Sequence, residues 1–149
     1  MVTLGDAFFW NEDRSHLWVV ISTPQGRRAE FVMVNVTSLD EKIFDESCIL
    51  QPADYPQFID HPTAVFYVDA KVWWIAGANG YDAIAFGGNI ARMPALRPAT
   101  LLRIQQGALR SDFFPPDYKP LVQDSLVVLP APPPRPRAAA PRPPPPRRP

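Results

Sequence analysis

The chain has one cysteine, Cys48, in 149 residues. That excludes an internal disulfide and fits a reducing compartment. Long apolar runs are missing as well. The longest, Leu17 to Ile21 and Val72 to Ala76, fall far short of the roughly 20 apolar residues of a membrane-spanning helix. The opening MVTLGDAFFWNEDR has no basic start followed by an apolar stretch, so no signal peptide is expected. A cytoplasmic location with no membrane partner is the expectation. With only two histidines and no tight ligand spacing among His, Cys and Asp, no metal and no cofactor is expected. GANG and FGGN lack the lysine and helix context of a phosphate loop. No Ser-His-Asp pattern stands out.

Net charge is also absent, but the balance of zero hides an asymmetry. From Pro130 onward there are five arginines (Arg135, Arg137, Arg142, Arg147, Arg148) and no acids. Residues 1–129 therefore hold ten basic residues against all fifteen acids, a body of about −5 beside a tail of +5. An acidic body is not the footprint of a strong nucleic-acid binder, so any anion site must be a local patch. The tail, PAPPPRPRAAAPRPPPPRRP, favours extended polyproline II and cannot pack a core. Residues 129–149 are expected to be a disordered Pro/Arg-rich tail. It reads either as a solvated appendage or as a basic arm that touches nucleic acid or an acidic partner. Residues 1–128 are expected to form one domain.

What is present in that domain is mostly strand. GDAFFW (Gly5 to Trp10), HLWVVIST (His16 to Thr23) and AEFVMVNVTSL (Ala29 to Leu39) are rich in β-branched and aromatic residues. Phe31, Met33 and Asn35 alternate with Val32, Val34 and Val36 across the two faces of the third. PQGRR reads as a turn with Gly26 free to take φ > 0. SCILQ is a further strand, and TAVFYVDAKVWW is one long strand or two broken near Asp69. In a strand, adjacent Trp73 and Trp74 must point to opposite faces. The aromatics read as core or, if exposed, as base-stacking surfaces. IAGANGYDAIAFGGNIARMP is glycine-rich and carries no clear assignment. Leu101, Ile104, Ala108 and Leu109 recur at helical spacing, with Thr100 a candidate N-cap and Gly107 a weak interior position. Close-spaced strands with a terminal helix predict a mainly β fold, a small and strongly curved barrel.

The segment from Cys48 to Ala70, CILQPADYPQFIDHPTAVFYVDA, carries the densest chemistry. Two strand-like runs flank a knot holding Asp54, Asp60, His61 and the prolines Pro52, Pro56 and Pro62. Prolines at this density fix a loop, and fixed loops on strands are where sites tend to lie. Asp54 reads as a backbone-bonding residue that closes the knot, and His61 before Pro62 as structural. Cys48 reads as a buried, inert thiol.

In this order, GDAFFW, HLWVVIS, FVMVNVTSL, the Cys48 block and LLRIQQGALRSDFFPPDYK resemble the MazF/PemK-like toxin superfamily. They are most similar to its branch of short bacterial proteins with a Cys-x-Leu-x-x-x-Asp-[His/Tyr]-Pro block. The likeness spans roughly residues 4 to 120. It implies a small SH3-like β-barrel with packed helices, often a homodimer. It also implies a toxin of a toxin-antitoxin system, a metal-independent endoribonuclease with single-stranded RNA as substrate and an antitoxin protein as partner. The family's arginine just before the second strand is replaced here by RSHLWVVIS, with Arg14, Ser15 and His16 nearby. Thr37 and Ser38 fall where the family positions phosphate. The resemblance therefore implies His16, Thr37 and Ser38 as catalytic residues and Arg14, Arg27 and Arg28 as RNA contacts. Cys48, Asp54 and His61 belong to the structural or site loop. A non-catalytic barrel that binds a protein partner or nucleic acid is the alternative reading.

Overall fold

The computed structural model describes residues 1–10, 13–39 and 44–134, with the side chains of 13–15 left out. The chain lays down β1 (Ala7–Trp10), β2 (Asp13–Val20), β3 (Glu30–Ser38), β4 (Ile49–Leu50) and β5 (Thr63–Trp74). Helix α1 (Tyr81–Phe86), β6 (Ile90–Met93) and α2 (Pro98–Arg110) follow, and a 3₁₀ turn (Pro116–Tyr118) leads into α3 (Lys119–Gln123). The strands form one antiparallel six-stranded sheet in the order β4-β5-β3-β2-β1-β6, curled as a half-barrel. The predicted mainly β fold with a C-terminal helix is what forms. The glycine-rich stretch that had no assignment supplies α1 and β6. Pro130 to Pro134 carry no regular structure and are exposed, and the rest of the tail lies outside the described residues.

Strand alternation divides the apolar residues between two cores, one on each face of the sheet. Leu17, Val19, Val32, Val34, Val36, Val65 and Tyr67 face the first, which Leu101, Ile104 and Ala108 of α2 cover together with Val122 of α3. Phe8, Trp18, Val20, Phe31, Met33, Trp73 and Tyr81 form the second, largely aromatic, core. Tyr81 meets Phe8, Phe31 and Trp73 edge-on, Phe8 and Phe31 lie tilted to Trp73, and Trp10 stacks on Trp73 at 4.4 Å between centroids. Most of the aromatics are thus packed against each other rather than held out for bases. Trp73 and Trp74 are consecutive paired residues of β5, opposite Phe31 and Glu30, and only Trp73 is buried. β5 ends at Trp74, and its half-buried ring leans on the same aromatic core as Trp73.

β5 is one strand, and the expected break near Asp69 is a bulge. Met33 pairs with Lys71 and Asn35 with Phe66, so Val34 faces four residues of β5. Such an insertion bends the strand and sharpens its twist. The Asn35 amide reaches across the bulge to donate to Asp69 Oδ2 at 2.7 Å. Between β2 and β3, Gly26 (φ 70°) and Ala29 (φ 51°) take left-handed backbone. The turn closes with Ala29 N donating to Gly26 O and with reciprocal bonds between Gln25 and Glu30.

Candidate functional site at the mouth of β3 and β5

The proline knot is held to α2 by arginines. Arg103 donates to Asp54 Oδ1 at 2.5 Å and to Ile49 O at 2.8 Å. Arg97 donates to Ala53 O, and Arg110 to Ser47 O at 3.0 Å. Asp54 also accepts from Gln51 N at 2.8 Å, closing the turn as its loop position suggested. Arg103 and Arg110 lie close to two helical turns apart, so their guanidiniums project from one side of α2, while Arg97 reaches the loop from the extended residue that precedes the helix. Burial opposes ionisation of Asp54, but the Gln51 amide and the Arg103 guanidinium outweigh it and hold the carboxyl below its ordinary range. A lowered folded-state pKa means stability that is present above about pH 4 and lost as pH falls through the folded value. Urea unfolding followed from pH 6 down to pH 2.5 should therefore show a steeper acid loss in wild type than in Asp54→Asn. Identical slopes would show that the pairing is too solvated to matter, since Arg103 is 47% exposed.

Cys48 lies beneath this loop at 5% exposure. Burial pushes its thiol up, against the pull of Arg103, so it is a packing residue rather than a nucleophile. Its neighbour Tyr67 donates to Ile104 O at 2.7 Å, and burial pushes the phenol far up as well.

The polar groove lies at the other end of the knot. Ser38 ends β3 and pairs with Thr63, the first residue of β5. His61, two residues before that pair, is turned back so that Nε2 is 3.0 Å from Ser38 Oγ. Its Nδ1 contacts Oδ1 of Asp60, and Thr63 Oγ1 donates to the His61 carbonyl at 2.9 Å. A carboxylate only accepts, so Nδ1 carries the proton in the neutral ring and Nε2 accepts from Ser38. Around this chain lies a groove of about 220 Å³, with Val36, Thr37 and Phe58 among its walls. The sequence showed no Ser-His-Asp pattern because Ser38 and His61 are 23 positions apart. Only the β3–β5 register brings them together.

The other predicted residues fall as follows. Thr37 lines the groove and is half-buried, while Ser38 and His61 are exposed. His16, half-buried in β2, precedes Leu17, which pairs with Val36. Register places it beside Thr37, on the face of Trp18 rather than that of Ser38. Arg27 and Arg28 are exposed in the β2–β3 turn. They stand beyond the first residue of β3, and the strand's eight steps to Ser38 span about 26 Å. They do not share a phosphate-sized site with Ser38. The Arg14 side chain lies outside the described residues. Sequence reasoning missed Asp60 as a partner of His61, although the Asp-His dipeptide was visible, and missed Arg97, Arg103 and Arg110 as clamps on the knot.

Among the described residues no group of three His, Cys, Asp or Glu side chains could hold a metal ion, and no helix is long and apolar enough to cross a membrane. No protein family matches the chain, and neither does any curated protein or any solved structure.

Proposed function

We propose that this is a toxin-like protein of the MazF/PemK type, an SH3-like barrel in its curled sheet, that cleaves single-stranded RNA without a metal at the groove of Thr37, Ser38 and His61. The observation that carries the reading is the His61 imidazole at the mouth of a groove, with Nδ1 against the Asp60 carboxylate and Nε2 3.0 Å from Ser38 Oγ, an arrangement that leaves Nε2 to accept a proton. Metal-free cleavage uses the 2′-hydroxyl of the RNA as nucleophile and needs a base to take its proton. A 2′-hydroxyl displacing the Ser38 hydroxyl would meet that base directly. His61 thereby takes the role that the resemblance gave to His16. Thr37 and Ser38 contact the phosphate. In this reading an antitoxin protein restrains the activity and the barrel pairs as a homodimer.

The test is cleavage of a labelled single-stranded RNA in EDTA. Wild type should leave 2′,3′-cyclic phosphate ends, and His61→Ala should be slower by about 100-fold or more. His61 is more than half exposed, so its replacement leaves the cores intact. Wild-type protein that spares a varied pool of RNAs would overturn the nuclease. A second reading, a non-catalytic barrel that binds a partner, is favoured by the distance of Arg27 and Arg28 from the groove. Retarded but uncut RNA, or an intact RNA pool with a bound protein partner, would select it.

A further inference from the structure

The connectivity at the groove has a second chemical meaning that does not depend on RNA. Asp60 Oδ1 contacts His61 Nδ1, and His61 Nε2 lies 3.0 Å from Ser38 Oγ. That is the order in which carboxylate, imidazole and hydroxyl activate a serine nucleophile on unrelated folds. We propose that Ser38 is a covalent nucleophile, with His61 as its general base and Asp60 as the residue that positions the ring, toward small activated acyl and phosphonyl groups.

Three features support this assignment. Ser38 Oγ is accessible, because Ser38 is exposed and lines the groove. The groove, at about 220 Å³ with Val36 and Phe58 in its walls, suits a small group with an apolar side. The backbone around the relay is anchored at both ends. Ser38 pairs with Thr63, Leu39 N donates to Pro62 O at 3.4 Å, and the Thr63 hydroxyl caps the His61 carbonyl. Pro62 fixes its own φ and keeps His61 extended, so the ring is presented from a constrained segment.

The step balances without a co-reactant beyond water. Ser38 Oγ attacks the carbonyl carbon of an activated ester, and its proton passes to His61 Nε2. The C–O bond to the leaving alkoxide breaks, and that alkoxide takes the proton from His61. Water, deprotonated by the same nitrogen, then cleaves the acyl-serine and releases the acid. With an alkyl fluorophosphonate the first half alone occurs. The Oγ–P bond forms, the P–F bond breaks, and fluoride leaves while the serine proton goes to His61 and on to solvent.

The experiment treats the full chain with a fluorophosphonate probe and maps the adduct by intact and peptide mass spectrometry. The expected result is a single adduct on Ser38, formed at least tenfold more slowly in His61→Ala. Asp60→Asn should label at an intermediate rate, and in ¹⁵N NMR its His61 ring should lose the fixed Nδ1–H form. An ¹⁵N spectrum of the wild-type ring with the proton on Nε2 would overturn the proposal. So would the absence of an adduct on folded protein, or labelling of Ser38 at an unchanged rate in His61→Ala. A proton on Nε2 would weigh against both readings, but the labelling results do not bear on RNA cleavage, in which Ser38 is no nucleophile, so the adduct and the RNA assay let the two readings fail separately.

Discussion

Replacing Gln105 by leucine should destabilise the protein by about 3 kcal/mol, although the two side chains are close in size. Gln105 is fully buried in α2. Its Nε2 donates to Ile21 O at 3.0 Å and to Ser125 O at 2.7 Å, and its Oε1 accepts from Val127 N at 2.9 Å. One amide thus ties the helix to the chain just past β2 and to the segment after α3. Leucine would leave two carbonyls and one amide N–H without this partner in a place closed to water. Each unmade buried bond costs about 1–3 kcal/mol, partly offset by the apolar side chain's own burial. For a chain of this length the loss corresponds to roughly 12 °C in melting temperature. The exposed neighbour provides the control. Gln106→Leu should stay within about 0.5 kcal/mol of wild type. Thermal and urea unfolding of both variants would decide the matter, and equal stabilities would refute this account of Gln105.

Gly107→Ala is the second large effect, and its sign is opposite to that expected of an exposed helix interior. There, alanine would gain about 1 kcal/mol over glycine. Here a Cβ at position 107 would lie 2.8 Å from Cys48 Cβ and closer still to the Tyr67 hydroxyl. Helix α2 is seated so closely on β5 that only hydrogen fits between them. Forcing a methyl into that contact pushes Tyr67 off its bond to Ile104 O. Overpacking of this kind costs about 1–3 kcal/mol, and loss of the tyrosine bond about 1 more. Set against the helix-propensity gain, the net expectation is a loss of about 1–3 kcal/mol, measured as a shift in the urea midpoint at unchanged slope. Adding Tyr67→Phe removes the hydroxyl that clashes, so the double variant should recover part of that loss. A Gly107→Ala protein as stable as wild type would show that the helix can shift outward at little cost.

These two neighbouring positions show where sequence reasoning stops. The helix itself was legible. Leu101, Ile104 and Ala108 recur at its period, and all three are buried in the first core. Gln105, four residues after Leu101, falls on the same buried face and Gln106 does not, but a polar side chain gave no sign that its partners were the carbonyls of Ile21 and Ser125. Gly107 looked like a weak point in a helix and is a point of contact. Its function depends on Tyr67 and Cys48, which lie 40 and 59 positions away. The acidic Asp54 was read correctly as closing its own turn. Its tie to Arg103 could not be read, because nothing local says which side of α2 faces the knot.

The same division runs through the candidate site. Alternating β-branched and aromatic residues determined the strands, their two-faced character and the positions of Thr37 and Ser38 at a strand end, because side-chain direction along a strand is set locally. The prolines determined that the loop before β5 would be fixed, because each locks its own backbone. The company of His61 was decided elsewhere. Pairing of Ser38 with Thr63 is a property of two strands meeting in one register, and a shift by one residue would turn Ser38 to the opposite face. That register also separates Arg27 and Arg28 from the groove, since the turn that carries them lies at the far end of β3. Local patterning therefore set which residues could do chemistry, and long-range pairing set which of them meet.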